Sequence, residues 1–152
     1  MPKASVKRLI ECEKDDLIKL VLDIEKYPEF VPFCFDAKVY ENKNEGDLIK
    51  IIADLTIGKG PFKDTYKSDV VYDKRKDTIF VKNIKGPLNH LSNNWTFTDK
   101  QNGITEIAFD IDFEIKNKFL NSLMVVSFQF GLEKIADAFQ KRAEELFGSS
   151  KN

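Results

Sequence analysis

The stretch FLNSLMVVSFQFGLEKIADAFQKRAEELF, residues 119–147, decides the fold. In its first half, the consecutive residues 123–126 (LMVV) are all apolar, and at about 100° per residue they cover most of the circumference of a helix. The second half spaces its apolar residues at steps of three and four, which predicts an amphipathic helix that lies on a sheet. We therefore predict one long helix whose first half covers an apolar cavity as a lid. The apolar stripe of its second half comprises Leu132, Ile135, Phe139, Ala143 and Leu146.

Residues 48–115 alternate between apolar and polar side chains, the pattern of strands that are buried on one face. The turn at residues 58–61 (GKGP) separates the two longest of these strands. Further strands are predicted within residues 77–84, 90–98 and 107–115, and tight turns between strands make antiparallel pairs. The two longest strands place these side chains inward: Ile49, Ile51, Ala53, Leu55 and Ile57 on the first, and Phe62, Asp64, Tyr66, Ser68, Val70 and Tyr72 on the second.

The N-terminal part predicts a strand at residues 4–11 and then a helix that begins at the acidic residues 13–16. We expect Tyr27-Pro28 to end this helix, because the residue before a proline is disfavoured in the α region. Residues 29–35 are predicted to form a turn-like apolar knot or a second short helix. A strand, short helices, five or six further strands and a long final helix together indicate an α+β fold with an antiparallel sheet.

Length and composition indicate one domain, residues 1–152, with a sizeable core, since 42% of the residues are hydrophobic and 13 are Phe. A formal net charge of −1 gives no global basic field, so DNA is not an expected partner. Cys12 and Cys34 lack CxxC spacing, and we expect both to be reduced in an intracellular protein. No apolar run reaches the ~18–20 residues that a bilayer span needs, so a cytoplasmic location is expected.

Candidate catalytic groups are few. The sole histidine, His90, points outward by strand phase, which favours a surface role over a catalytic one. Asp110, Asp112 and Glu114 share one strand face, and even spacing toward solvent is typical of a solvated face rather than a metal site. The sequence contains no phosphate-binding or dinucleotide-binding motif. We therefore predict no catalytic residue, no metal site and no cofactor.

Three polar residues are predicted on the inward, apolar face of the sheet, namely Asp64, Ser68 and Asn93. A carboxylate in such a place is destabilised by several kcal/mol unless it is paired or hydrated. Either these groups bond one another or a buried water, or they orient a ligand in a mostly apolar pocket.

Several separated segments, in this order, resemble the coenzyme Q-binding START family, which includes bacterial ribosome-association toxins and is grouped with the polyketide cyclases and dehydrases. They are residues 27–34 (YPEFVPFC), 86–91 (GPLNHL), 95–97 (WTF), 112–115 (DFEI) and 138–148 (AFQKRAEELFG). The resemblance extends from about residue 4 to residue 148. It implies the helix-grip fold, in which a curved antiparallel sheet wraps around a long C-terminal helix and encloses an internal apolar cavity.

The resemblance implies a binding protein rather than an enzyme. Its ligand would be an isoprenoid quinone such as ubiquinone, which the protein would carry or present to respiratory enzymes. Strand phase and helix face assign the residues expected to line the cavity, and the alternative for each is a place in the ordinary core. They are Phe30, Phe33, Leu55, Ile57, Phe62, Asp64, Trp95, Phe97, Phe109, Phe113, Leu123 and Phe128.

Two other functions stay open. One is association with the large ribosomal subunit, which would block subunit joining, through Lys63 and Lys67 on one outward strand face; aromatic residues for stacking are not evident there. The other is an aromatase/cyclase activity, which only the family name, polyketide cyclase/dehydrase, supports. We also predict that residues 119–130 act as a portal for the quinone and rest transiently on the inner membrane. The alternative is that residues 27–35 or a second subunit cover this segment.

Overall fold

A computed structural model describes residues 3–59, 61–86 and 88–147, and within them every side chain except those of residues 59, 62, 88, 89, 115 and 119–128. The described residues form seven strands, three α-helices and one 3-10 turn. In chain order they are β1 (Lys3–Glu11), α1 (Lys14–Leu22), the 3-10 turn (Ile24–Lys26), α2 (Tyr27–Phe30), β2 (Cys34–Glu45), β3 (Leu48–Lys59), β4 (Phe62–Asp73), β5 (Thr78–Lys85), β6 (Leu88–Asp99), β7 (Ile104–Ile115) and α3 (Lys118–Phe147).

All seven strands lie in one curved antiparallel sheet of order β1-β7-β6-β5-β4-β3-β2. Strands β2 to β7 are sequential hairpins, and β1 pairs with β7 from Lys3 beside Asp112 to Glu11 beside Ile104. The predicted α+β class and the antiparallel sheet with a long C-terminal helix are therefore confirmed.

Helix α3 runs along β1, whose outer edge has no strand partner. Its side chains bond the free backbone groups of that edge. The amide of Gln129 donates to the carbonyl of Ser5 at 3.0 Å, and the amide of Gln140 donates to the carbonyl of Leu9 at 3.2 Å. Farther along, the carboxylate of Glu144 accepts the backbone N–H of Glu11 at 3.0 Å. These bonds satisfy edge groups that would otherwise invite another strand.

An aromatic cluster centred on Phe139 of α3 fills the space between this helix and the sheet. The centroid of its ring lies 5.2 Å from those of Trp95 and Phe30 and 5.4 Å from that of Tyr27, each in an edge-to-face arrangement. Edge-to-face packing of this kind adds to the free energy gained by burial. Phe139 is therefore the side chain through which α2, α3 and the sheet contact one another.

Two local predictions are wrong. Helix α1 ends at Leu22, before Tyr27-Pro28, and these two residues begin α2 instead. Tyr27 has helical dihedrals (φ −54°, ψ −41°), and a proline is tolerated in the first turn of a helix because its missing N–H has no partner there anyway. Leu146, predicted in the buried stripe of α3, is 54% exposed.

Phe139→Ala should lower the free energy of unfolding by about 3–5 kcal/mol, because it removes the ring on which the aromatic cluster is centred. Leu146→Ala on the same helix is the matched control and should change that free energy by no more than about 0.5 kcal/mol. Urea denaturation followed by circular dichroism measures both. Similar losses for the two variants would contradict the placement of Phe139.

Candidate functional site

The concave face of the sheet has two ends, which the strand register defines. At one end, Ile49, Tyr72, Ile79, Trp95 and Phe109 are successive neighbours across five strands. This row lies in the contiguous core or packs against it. Four predicted lining residues belong here. Trp95, Phe97 and Phe109 are buried, and Phe30 packs against the cluster from α2; the ring centroids of Trp95 and Phe109 are 4.2 Å apart.

The opposite end of the concave face carries Leu55 and Phe113 from the predicted set, together with Cys34 and Leu91, which the prediction missed. Leu55 packs against the contiguous core cluster, whereas Cys34, Leu91 and Phe113 are buried but do not belong to that cluster among the described side chains. Leu91 and Phe113 are neighbours across β6 and β7. We call this region the β2–β4 end and define it by Cys34, Leu55, Tyr66, Leu91 and Phe113.

The first half of α3 runs toward the β2–β4 end. Gln129 contacts Ser5, and the helix continues from there toward its beginning at Lys118. At 1.5 Å per residue, residues 119–128 extend it by about 15 Å. Lys3 pairs with Asp112 in the β1–β7 ladder, so this extension runs toward Phe113. The backbone of this half of the helix therefore extends toward the β2–β4 end of the sheet.

The remaining predicted residues lie at the rim or outside the described side chains. Ile57 and Asp64 are neighbours across β3 and β4, and both are exposed. Phe33 is half-buried, with φ +70°, and its ring lies 3.7 Å from the position of a Cβ on Gly131, so it contacts α3. The side chains of Phe62, Leu123 and Phe128 are not among those that the structure describes.

The prediction that Asp64 is an inward, buried acid is wrong. It has the predicted register, but its side chain is exposed and accepts the backbone N–H of Thr65 at 2.9 Å. Strand alternation fixes which way a side chain points, and it does not show whether anything covers it. Asp64 lies beyond the covered part of the strand, where water solvates its carboxylate.

The other two inward polar residues have partners. Ser68 donates to the carbonyl of Ala53 at 3.3 Å. The amide of Asn93 donates to the carbonyl of Asp110 at 2.7 Å and accepts the indole N–H of Trp95 at 2.8 Å. Asn93 therefore fixes the orientation of Trp95, and its hydrogen bonds go to the protein itself.

Three further polar side chains lie near one another in the interior, namely Tyr27, Cys34 and Tyr66. Burial raises the pKa of both phenols, and the nearby Tyr66 and Cys34 raise that of Tyr27 further. Burial also raises the pKa of the Cys34 thiol to about 11. All three groups are therefore neutral at physiological pH.

The opposite, outer face of β2 to β4 carries lysines beside exposed aromatic rings. The ammonium of Lys63 lies 4.0 Å from the ring centroid of Phe35, and those of Lys67 and Lys38 lie 4.6 Å and 5.0 Å from that of Tyr40. Phe35 is 46% exposed and Tyr40 is 48% exposed. The expectation that aromatic residues are missing here is wrong, because two register shifts in β2, at 34–36 and at 39–41, interrupt the alternation by which strand faces are recognised.

The remaining candidates lie outside the concave face. His90 lies on the outer face, half-buried, with its Nε2 atom 3.6 Å from a carboxylate oxygen of Asp112, and Lys3 approaches the same carboxylate at 3.9 Å. An open groove of about 500 Å³ separates α2 from α3, and its lining mixes Glu29 and Asp137 with Lys134 and Lys141.

The described residues were also searched for a metal-binding group and for a membrane-spanning helix. No three His, Cys, Asp or Glu side chains in that part of the chain are grouped so that they would hold a metal ion. No described helix is both long enough and apolar enough to cross a membrane.

Comparison with known proteins places this geometry in a family. Residues 10–140 match the family described as polyketide cyclase / dehydrase and lipid transport. The mitochondrial coenzyme Q-binding protein COQ10 of Dictyostelium discoideum is 34% identical over 140 residues, which cover 90% of this chain and 66% of that protein. The ribosome association toxin RatA of Rickettsia prowazekii is 30% identical over 142 residues, which cover 91% of this chain and 94% of the toxin.

Among solved structures, a START superfamily protein of Mycobacterium smegmatis superimposes with a TM-score of 0.81 at 19% identity, covering 95% of this chain and 98% of that one. This likeness concerns the fold. The curved seven-stranded sheet, the long C-terminal helix and the match over most of the sequence agree, and the chain belongs to the polyketide cyclase/dehydrase and lipid transport family, with a START-like fold.

Proposed function

We propose that this protein binds an isoprenoid quinone such as ubiquinone between the β2–β4 end and the first half of α3, and carries it to respiratory enzymes. One observation supports this above the others. Among the described side chains, Cys34, Leu91 and Phe113 are buried but do not belong to the contiguous core cluster, an arrangement that suits side chains around a separate apolar site. A site that is mostly apolar with a few polar groups is typical of small-molecule binding.

The comparisons support the same proposal. A relative at 34% identity is named as a coenzyme Q-binding protein, and the family description includes lipid transport. The two relatives are a binding protein and a toxin by name, so the role we propose is carriage of a ligand rather than a reaction upon it.

The protein purified from a quinone-producing host should yield an isoprenoid quinone on organic extraction, in less than stoichiometric amount. Leu55→Trp should lower the quinone per protein at least several-fold, because the larger side chain occupies the site. Ile52→Trp, on the same strand but its opposite face, is the matched control and should retain the wild-type amount. Mass spectrometry of the extract measures the ligand, and circular dichroism verifies folding. Wild-type extracts that repeatedly lack any isoprenoid would refute the proposal.

A second function, association with the large ribosomal subunit, is favoured by the outer face of β2 to β4. Lysines supply charge for phosphate contacts, and exposed aromatic rings supply stacking surfaces for unpaired bases. Lys38, Lys63 and Lys67 lie beside Phe35 and Tyr40 in this way. The hydroxyl of Tyr40 donates to Asp54 at 2.7 Å, which holds that ring in place. The relative from Rickettsia prowazekii is named for ribosome association.

If this second function holds, Lys63→Glu with Lys67→Glu should abolish co-sedimentation with large subunits while quinone retention persists. The control is Lys43→Glu with Lys50→Glu, which changes the net charge equally on residues that pair with Glu41 and Glu45. The control should sediment as the wild type does. Absence of wild-type co-sedimentation at low salt, or equal losses in both double variants, would eliminate this candidate.

We expect quinone loading to occur at a membrane surface, through the segment that ends at Phe130. The Phe130 ring is 65% exposed, and the ammonium of Lys134 lies 4.9 Å from its centroid. An apolar ring beside a cation suits the interface of an anionic bilayer. The side chain of Val126, also expected at this portal, lies outside the described residues.

Phe130→Asp should reduce flotation with liposomes that contain anionic lipid and should slow quinone uptake from them. Leu146→Asp, at an exposed leucine near the other end of α3, is the control and should leave both measurements unchanged. Wild-type flotation and uptake in a folded Phe130→Asp protein would contradict the portal. The alternative is that a second subunit covers this segment, and size-exclusion chromatography tests it. If the wild type is a dimer and Phe130→Asp is a monomer, Phe130 belongs to a subunit contact instead.

A further inference from the structure

Tyr66 is a half-buried polar side chain that β4 directs toward the β2–β4 end. It pairs with Leu55 across β3 and β4 and shares the inward face of β4 with the buried Ser68 and Val70. Among the described residues, no group accepts from its hydroxyl or donates to it. A hydroxyl in an apolar site without a partner is unfavourable unless a ligand or water supplies one.

The neighbouring polar groups are already paired. The hydroxyl of Tyr27 donates to the carbonyl of Val21, and the thiol of Cys34 lies 3.7 Å from the carbonyl of Asp36. Ser68 donates to the carbonyl of Ala53. These bonds point back into the protein, so none of the three groups offers a free donor to a molecule above the sheet.

The close approach of Gly86 fixes the backbone of Tyr66. A Cβ added to Gly86 would lie 2.7 Å from the Cβ and 2.9 Å from the Cα of Tyr66, and Gly86 has φ +146°. Only glycine adopts that conformation readily and leaves room for the contact. The backbone just after β5 therefore lies against the Cα and Cβ of Tyr66, and this close approach fixes the point from which the Tyr66 side chain extends.

We propose that the Tyr66 hydroxyl donates a hydrogen bond to a ring carbonyl oxygen of the bound quinone and thereby positions the headgroup. This inference rests on the proposed quinone-binding function and assigns its polar contact. Burial raises the pKa of Tyr66, so the phenol keeps the proton that it donates. An isoprenoid chain without a carbonyl gains nothing from this donor, and Tyr66 therefore selects a lipid with an oxygen acceptor at one end.

Tyr66→Phe tests the contact, and Tyr72→Phe is the matched control. Tyr72 lies on the same face of the same strand, but at the other end, where its row contains Trp95 and Phe109. The two probes are decylubiquinone and squalene, which is an isoprenoid without an acceptor. Tyr66→Phe should weaken decylubiquinone binding about 3- to 10-fold, the range expected for one hydrogen bond, and leave squalene binding unchanged. Tyr72→Phe should change neither.

Infrared spectroscopy of decylubiquinone labelled with ¹³C at its carbonyls supplies a second readout. A hydrogen bond lowers the carbonyl stretching frequency, so the band of one carbonyl should rise in Tyr66→Phe and stay in place in Tyr72→Phe. If Tyr66→Phe weakens the binding of decylubiquinone and squalene equally, Tyr66 contributes packing rather than a hydrogen bond. If this variant leaves both the carbonyl band and the affinity unchanged, Tyr66 does not contact the quinone. Either result overturns this inference while wild-type quinone binding stands. A wild-type protein that binds no decylubiquinone overturns the proposed function and this inference together.

Discussion

The hydrogen bonds between α3 and the free edge of β1 are the constraint on which the rest of the structure depends. An edge strand presents unpaired N–H and C=O groups, and α3 bonds three of them through Gln129, Gln140 and Glu144. Arg8 of β1 adds an ion pair to Asp137. Because these contacts recur along the helix, they fix both its direction and its register on the sheet. The second half of α3 is thereby held over the end that contains Trp95, and the first half runs toward the β2–β4 end.

This alignment explains why the two ends of one concave face differ. Over the Trp95 end, Phe139 and the rings from α2 fill the space, and Asn93 fixes the indole by accepting its N–H. Close packing of this kind fills the space at that end with side chains of the protein itself. At the β2–β4 end, the buried Cys34, Leu91 and Phe113 do not belong to the core cluster formed by the described side chains. The same helix thus stabilises the fold with its second half, and its first half runs toward the end of the sheet where we propose the ligand site.

The sequence alone predicts the strands, the long helix and the fold class, because period-two and period-3.6 patterns persist over many residues. It does not predict how far neighbouring elements extend. Asp64 and Leu146 both have the inward phase, yet Asp64 lies beyond the covered part of β4 and Leu146 lies near the end of α3. The sequence does not predict the outer surface where lysines lie beside Phe35 and Tyr40, because register shifts in β2 interrupt the simple alternation at these two residues. Tyr66 was predicted inward, but its significance depends on the partners of its neighbours, which only the structure reveals.

The two candidate functions use opposite faces of the same strand. In β4, Tyr66 and Ser68 point toward the interior, whereas Lys63 and Lys67 lie beside the exposed rings of the outer face. Alternation of side chains therefore allows each surface to change without altering the composition of the other. A lipid under α3 and a polyanion on the outer face would not compete for any residue. Relatives named for coenzyme Q binding and for ribosome association are then compatible with one fold, since the sheet itself separates the two surfaces.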